Sequence, residues 1–267
     1  MGRVISIANQ KGGVGKTTTA INLAASIGAA EHKVLLVDLD PQGNATSGVG
    51  EQRDQSNVNL FQAMLGLHPL HLAIRHTAYA NLDLIPSSPD LIGAEVALTQ
   101  REDRDDLLKR ALAPLRNRYR FVLLDCPPSL GLLTVNALNA SDGVLVPVQS
   151  EYYAMEGLSQ LLTTVERVRE VLNPPLDIDG VLLTMYDPRN NLARQVEQEV
   201  RSQLGERVFA TVVPRNVRLS EAPSFGKPAL YYDVRSSGSQ AYQSLAREVL
   251  ALGARARGAD PIPSGGP

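Results

Sequence analysis

The chain has 267 residues, of which 43% are apolar and 20% charged, and its formal net charge is −2. That balance belongs to a folded globular protein with a large core, and it offers no general attraction to nucleic acid, so any affinity for DNA has to come from a local patch. A single cysteine, Cys126, excludes an intramolecular disulfide framework and a cysteine-based structural zinc site; with four scattered histidines it implies a reducing cytosol and no structural metal.

Met1–Gly2–Arg3 leads into the first expected strand, Arg3–Ala8, with no signal peptide ahead of it. Next come Lys11, Gly12, Gly13, Val14, Gly15, Lys16, Thr17 and Thr18, then an expected helix over Lys16–Ala29. Expected strands follow at Val34–Val37, Leu82–Ile85, Phe121–Leu124, Gly143–Pro147, Gly180–Met185 and Val208–Val213. Helical patterns fall between them at Asp103–Leu115, Leu132–Ala137, Met155–Leu172 and Leu192–Leu204, with a last one at Gln240–Ala254. This alternation predicts an α/β fold, a mostly parallel central sheet flanked by helices. Residues 1–254 read as one domain, and 255–267, ending in a Gly/Pro/Ser-rich stretch, as a disordered tail. No apolar run approaches the ~20 residues of a membrane span.

Strand, glycine loop and helix in that order make a phosphate cradle, because loop amides and the positive end of the helix dipole face phosphate oxygens. Lys16 is placed to reach the β- and γ-phosphates of a bound nucleotide, and the Thr17 hydroxyl to meet Mg²⁺. The usual G-x-x-x-x-G-K-[ST] spacing is broken, since Gln10 stands where its first glycine belongs and Lys11 follows. Ligands in such sheets bind beyond the carboxyl ends of the strands. There the sequence places Asp38 and Asp40 after one strand and Asp125 after another. Asp125 has the form of a Walker B carboxylate holding Mg²⁺ through water. If the strand continues, Asp38 and Asp40 point the same way, one toward a Mg²⁺ water and the other toward the attacking water. Lys11 is either a cation donated in trans to a facing subunit or a solvated lysine; physics alone favours the second.

The segments KGGVGKTT, DLDPQGN and FVLLDCPPS resemble the deviant Walker A, A′ and Walker B motifs of the ParA/MinD ATPases, and the likeness to the ParA/Soj partition branch runs from about Gly2 to Gly253. The resemblance implies a nucleotide-sandwich homodimer in which Lys11 crosses to the partner's nucleotide, Gly12 packs at the dimer interface and Asp40 is needed for hydrolysis. It makes Lys11 through Thr18 the nucleotide loop, with Thr17, Asp40 and Asp125 around Mg²⁺ and Pro214 and Asn216 at the adenine edge. It also matches Arg189 and Arg218 to arginines that hold non-specific double-stranded DNA. As residues alone these are ordinary exposed arginines, and Arg194, Arg201, Arg215, Lys227, Arg235 and Arg247 are weaker candidates. A ParB-like partner would then stimulate weak ATP hydrolysis in a cytoplasmic, nucleoid-associated protein that does not bind membrane.

Two other readings share the nucleotide site. A MinD-like membrane-positioning ATPase needs an amphipathic terminal helix, whereas residues 253–258 read Gly–Ala–Arg–Ala–Arg–Gly without large apolar side chains. An iron–sulfur enzyme of this fold needs a cysteine pair, which one cysteine does not supply. An ATP-dependent metabolic ligase leaves no required mark in the sequence.

Overall fold

Alternation along the strands sorts their side chains onto two faces, and each face collects its own helices. The computed structural model describes residues 2–151 and 154–258. The strands are β1 (Arg3–Ile7), β2 (Val34–Asp38), β3 (Arg75–His76), β4 (Leu82–Ile85), β5 (Phe121–Asp125), β6 (Gly143–Gln149), β7 (Asp177–Tyr186) and β8 (Val208–Pro214). They form one sheet in the order β3-β4-β2-β5-β1-β6-β7-β8, parallel throughout except for β3. The short antiparallel β3 was not foreseen; two residues are too few to show a period.

On one face Ile5, Ile7, Leu36, Leu123 and Leu145 pack against α1 (Lys16–Ala29) and the final helix. On the other, Val4, Leu35, Val122, Leu124 and Val146 pack against the helices that follow β4, β5, β6 and β7. The helices after α1 are α2 (Asn44–Gly48), α3 (Leu60–Met64), α4 (Ala94–Thr99), α5 (Leu107–Leu112), α6 (Leu132–Ala140), α7 (Ala154–Val171), α8 (Asn191–Leu204), α9 (Val217–Glu221), α10 (Ala229–Tyr232) and α11 (Ser237–Gly258).

The helix expected over Asp103–Leu115 is shorter than its pattern. It starts only after Asp106, and Pro114 turns its end into a 3₁₀ turn over Ala113–Leu115. The last helix runs to Gly258, four residues past its expected end, and the rest of the expected tail, 259–267, lies outside the described residues. Among the described residues no helix is long and apolar enough to cross a membrane.

β1, β2 and β5 lie side by side at the centre, and their register pairs Ile7 with Asp125 and Asp38 with Asp125. The glycine loop and both acidic strand ends therefore share one edge of the sheet. The carboxyl ends of β7 and β8 border the same edge farther out.

Candidate nucleotide site and its flanking arginines

Asn9, buried just past β1, anchors the start of the loop. Its amide donates to the Pro147 carbonyl at 2.7 Å, and its Oδ1 accepts the Lys11 N–H at 3.0 Å. The chain then turns through Gly13 at φ 74° and Gly15 at φ 88°, a left-handed backbone that disfavours side chains. Space above Gly12 and Gly13 is open. Among the described residues the amide N–H groups of residues 12–18 have no hydrogen-bond acceptor, and Thr19 N–H is the first to close a helical bond, onto Gly15. A row of unpaired donors at the N-terminus of a 14-residue helix is an anion site.

Lys16 is only 7% exposed and donates from Nζ to the Lys11 carbonyl at 3.0 Å. Burial lowers its pKa, opposed chiefly by the negative charge of Asp125. Lys11 lies on the other side of the loop, about one-third exposed, with its ammonium 3.4 Å from Glu151.

Asp125 is fully buried, and neither carboxylate oxygen has a hydrogen-bond partner among the described residues. Burial pushes its pKa well up, and the neighbouring Asp38 adds to this. The Thr17 hydroxyl is near enough to lower it somewhat, without a hydrogen bond of proper geometry. An unpaired buried carboxylate is costly and calls for a cation or ordered water. That orphaned pair of oxygens beside Thr17 and Lys16 fits Mg²⁺. Among the described residues no cluster of three or more His, Cys, Asp or Glu side chains forms a metal cage. Mg²⁺ is usually held by one or two carboxylates together with phosphate oxygens, and Asp125 is such a carboxylate.

Asp38 and Asp40 do not act as the pair that a continuing strand would make them. β2 stops at Asp38, and Asp40 begins a turn closed by the Gly43 N–H on its carbonyl. Asp38 is wholly buried and spent on structure: it accepts the Asp40 N–H at 3.2 Å, the Thr46 N–H at 2.8 Å and the Thr46 hydroxyl at 2.6 Å. Burial raises its pKa to about 6 against those hydrogen bonds. Thr46 in turn accepts the Ser87 N–H at 3.0 Å, and Ser87 donates to the Asp40 carbonyl at 2.7 Å. Asp40 keeps one carboxylate oxygen clear of the Gln42 N–H that the other accepts.

Pro214 and Asn216 line a cleft of about 440 Å³ shared with Gly15, Thr18, Met185 and Tyr242. Asn216 also caps α9, accepting the Arg218 N–H and donating to Ser237. Arg189 follows β7 with its side chain 88% exposed, in a two-point ion pair with Asp187 at 2.8 and 2.9 Å. Arg218, on α9 beyond β8, pairs with Glu221 at 2.7 Å and Asp233 at 3.4 Å. The structure thus brings the two arginines to neighbouring strand ends, each already facing carboxylates.

With this geometry in place, likeness to known proteins identifies the family. The AAA domain family model matches residues 2–178. The chain is 53% identical over 250 residues to the chromosome partitioning protein ParA of Myxococcus xanthus, covering 94% of this chain and 88% of that one. It is also 53% identical to the sporulation initiation inhibitor protein Soj of Bacillus subtilis, covering 95% of this chain and all of that one. The chain belongs to the ParA/Soj family. Among solved structures, a cobyrinic acid a,c-diamide synthase from Mycobacterium smegmatis with bound ADP and magnesium superposes with a TM-score of 0.82 at 38% identity, covering 94% of each chain. The fold is that of the P-loop NTPases.

Three residues of the site carried no readable signal, and a fourth carried only a faint one. Thr46 and Ser87 are ordinary polar residues until the fold sets them against Asp38 and Asp40. Thr184, whose hydroxyl donates to the Val14 carbonyl at 2.8 Å, lies 170 positions from its partner. Asn9 adjoins the motif, and a polar residue closing an apolar strand was the one available hint.

Proposed function

We propose that this chain is a DNA-segregation ATPase whose ATP-bound homodimer binds DNA non-specifically and is released when a ParB-like partner stimulates hydrolysis. The observation that carries the nucleotide half is the row of unpaired amides at residues 12–18 beside the orphaned Asp125 carboxylate. Membership of the ParA/Soj family supports the partition half.

In this reading Gly12, Gly13, Val14, Gly15, Lys16, Thr17 and Thr18 cradle the phosphates, and Lys16 exchanges the Lys11 carbonyl for a phosphate oxygen. Thr17, Asp125 and Asp40 hold Mg²⁺, which when bound supplies charge neutralisation at the phosphates. Asp40 orients the attacking water with its free oxygen, while Asp38 fixes the turn that carries it. Lys11 leaves Glu151 to reach the partner's nucleotide, and Pro214 and Asn216 border the adenine. Arg189 and Arg218 exchange their carboxylates for DNA phosphates. Residues 1–254 form the ATPase domain, and the protein is cytoplasmic and nucleoid-associated.

The test is DNA binding in Mg-ATP, Mg-ADP and no nucleotide, with the size of each species measured in parallel. Binding confined to an ATP-dependent dimer is expected; equal binding in all three sinks the switch. The 38% identity to a cobyrinic acid a,c-diamide synthase favours one rival, an ATP-dependent ligase. ATP turnover raised by a corrin carboxylate and an amine, and untouched by DNA with a ParB-like protein, would favour that rival.

A further inference from the structure

We propose that Thr184 and Met185 are the positioning residues that carry the state of the phosphate loop to the Arg189 loop. The DNA half of this inference rests on the function proposed above; the mechanical half does not.

Thr184 is 2% exposed, and its hydroxyl donates to the Val14 carbonyl, inside the glycine loop, at 2.8 Å. Its methyl side stands 3.9 Å from where a Cβ on Gly15 would lie. Thr184 therefore holds the loop at Val14 and borders Gly15 across the shared cleft, and both residues face the phosphates in the nucleotide reading. Its own carbonyl accepts the Ser150 N–H at 3.4 Å. That bond ties the same point to the end of β6.

The next residue, Met185, has φ 51°, a left-handed conformation that costs free energy in any residue with a side chain. It lines the cleft with Pro214 and Asn216. The β7–β8 pairing loses register between Leu183 and Tyr186, so the ladder does not hold this turn straight. Beyond it, the Tyr186 carbonyl accepts the Arg215 N–H at 3.1 Å, and Asp187 accepts the Arg189 N–H at 3.0 Å while gripping its guanidinium. From the Val14 contact to Arg189 the path runs five residues along the chain, with a cross-link to the segment that leads to Arg218.

Coupling between sites needs an element with two discrete states that both sites bias. A methionine in the left-handed basin is such an element, because the extended basin is open to it whenever its anchor moves. Occupancy of the phosphate loop shifts Val14 and Gly15, which shifts Thr184, and the balance at Met185 then sets the aim of Arg189. Glycine at 185 carries no such strain, so a shift of its anchor would not drive it out of the left-handed basin.

Hydrogen–deuterium exchange of the 186–191 amides, with and without Mg-ATP and Mg-ADP, reads this without recourse to DNA. In the unaltered protein Mg-ATP is expected to change their exchange by about fivefold or more, the low end of ordinary coupling between sites. Thr184→Val keeps the shape and removes the hydroxyl; it should lose most of that response, while Thr184→Ser keeps it. Met185→Gly, which also trims the cleft wall, is read at a nucleotide concentration shown to saturate it; there it should show a flattened response, and it decides the matter if the valine variant melts early. A full response in Thr184→Val and Met185→Gly, or none in the unaltered protein, overturns the proposal. DNA affinity is measured on the same samples, where the ratio between ATP and ADP should shrink with the exchange response. If the exchange response behaves as expected while Arg189→Glu with Arg218→Glu binds DNA normally, the DNA reading falls and the Thr184 coupling stands.

Discussion

The middle of the sheet edge and its β7–β8 end handle charge in opposite ways. Around β1, β2 and β5 the charges are buried and incompletely answered. Asp125 has no partner among the described residues, Asp38 is pushed up to about 6, and Lys16 leans on a backbone carbonyl. At the β7–β8 end Arg189 and Arg218 are exposed and fully answered by Asp187, Glu221 and Asp233. A buried, unanswered charge gains much from one specific ion, because water does not compete for it. An exposed, paired charge exchanges its partner at little cost, and salt weakens the new contact. One region suits tight nucleotide binding and the other a weak, reversible grip on a polyanion.

Four experiments break or sharpen that contrast. The largest effect belongs to Asp40→Ala, which should leave ATP binding and dimerisation intact and slow single-turnover hydrolysis by about 10³–10⁴-fold, the upper range for a water-positioning or proton-accepting group. Normal hydrolysis would assign that role elsewhere. Lys16→Ala removes a buried cation from the phosphates, and truncating one partner of such a pair costs about 2–5 kcal/mol. Nucleotide affinity by calorimetry should therefore fall about 10³-fold.

At the exposed end, two arginines per subunit make about four phosphate contacts in a dimer, giving a log–log salt slope near −3.6. DNA affinity with ATP should fall about 150-fold between 50 and 200 mM salt, and a flat response would reject these arginines as the grip. The smallest effect is on stability. Thr46→Val removes the hydroxyl that Asp38 accepts at 2.6 Å and that Ser87 N–H donates to, so denaturant unfolding should report a loss of about 2 kcal/mol. No loss would mean that water takes over both bonds.

The elements nearest the site were legible because each had a period or a turn to announce it. Four apolar residues followed by aspartate predicted β5, and the Gly–Lys–Thr junction predicted the start of α1. Length decided what was missed: β3 has two residues, and α9 and α10 have five and four, too few for a repeating pattern. The mistaken expectation about Asp38 and Asp40 had a different cause. Strand spacing was carried past a residue whose side chain folds back to accept backbone and hydroxyl protons, and those donors come from residues 40 and 46.

Local order along the chain by itself determined the phosphate loop, the paired lysines, the three candidate aspartates and the α/β class. These depend on neighbours a few residues apart, and backbone geometry propagates over that distance. Tertiary structure alone decided which aspartate is structural, which carboxylate stands unpaired, and that Thr184 holds the loop from across the sheet. Those are matters of burial and of contacts between residues far apart in the chain, and they exist only once parallel strands have been brought side by side.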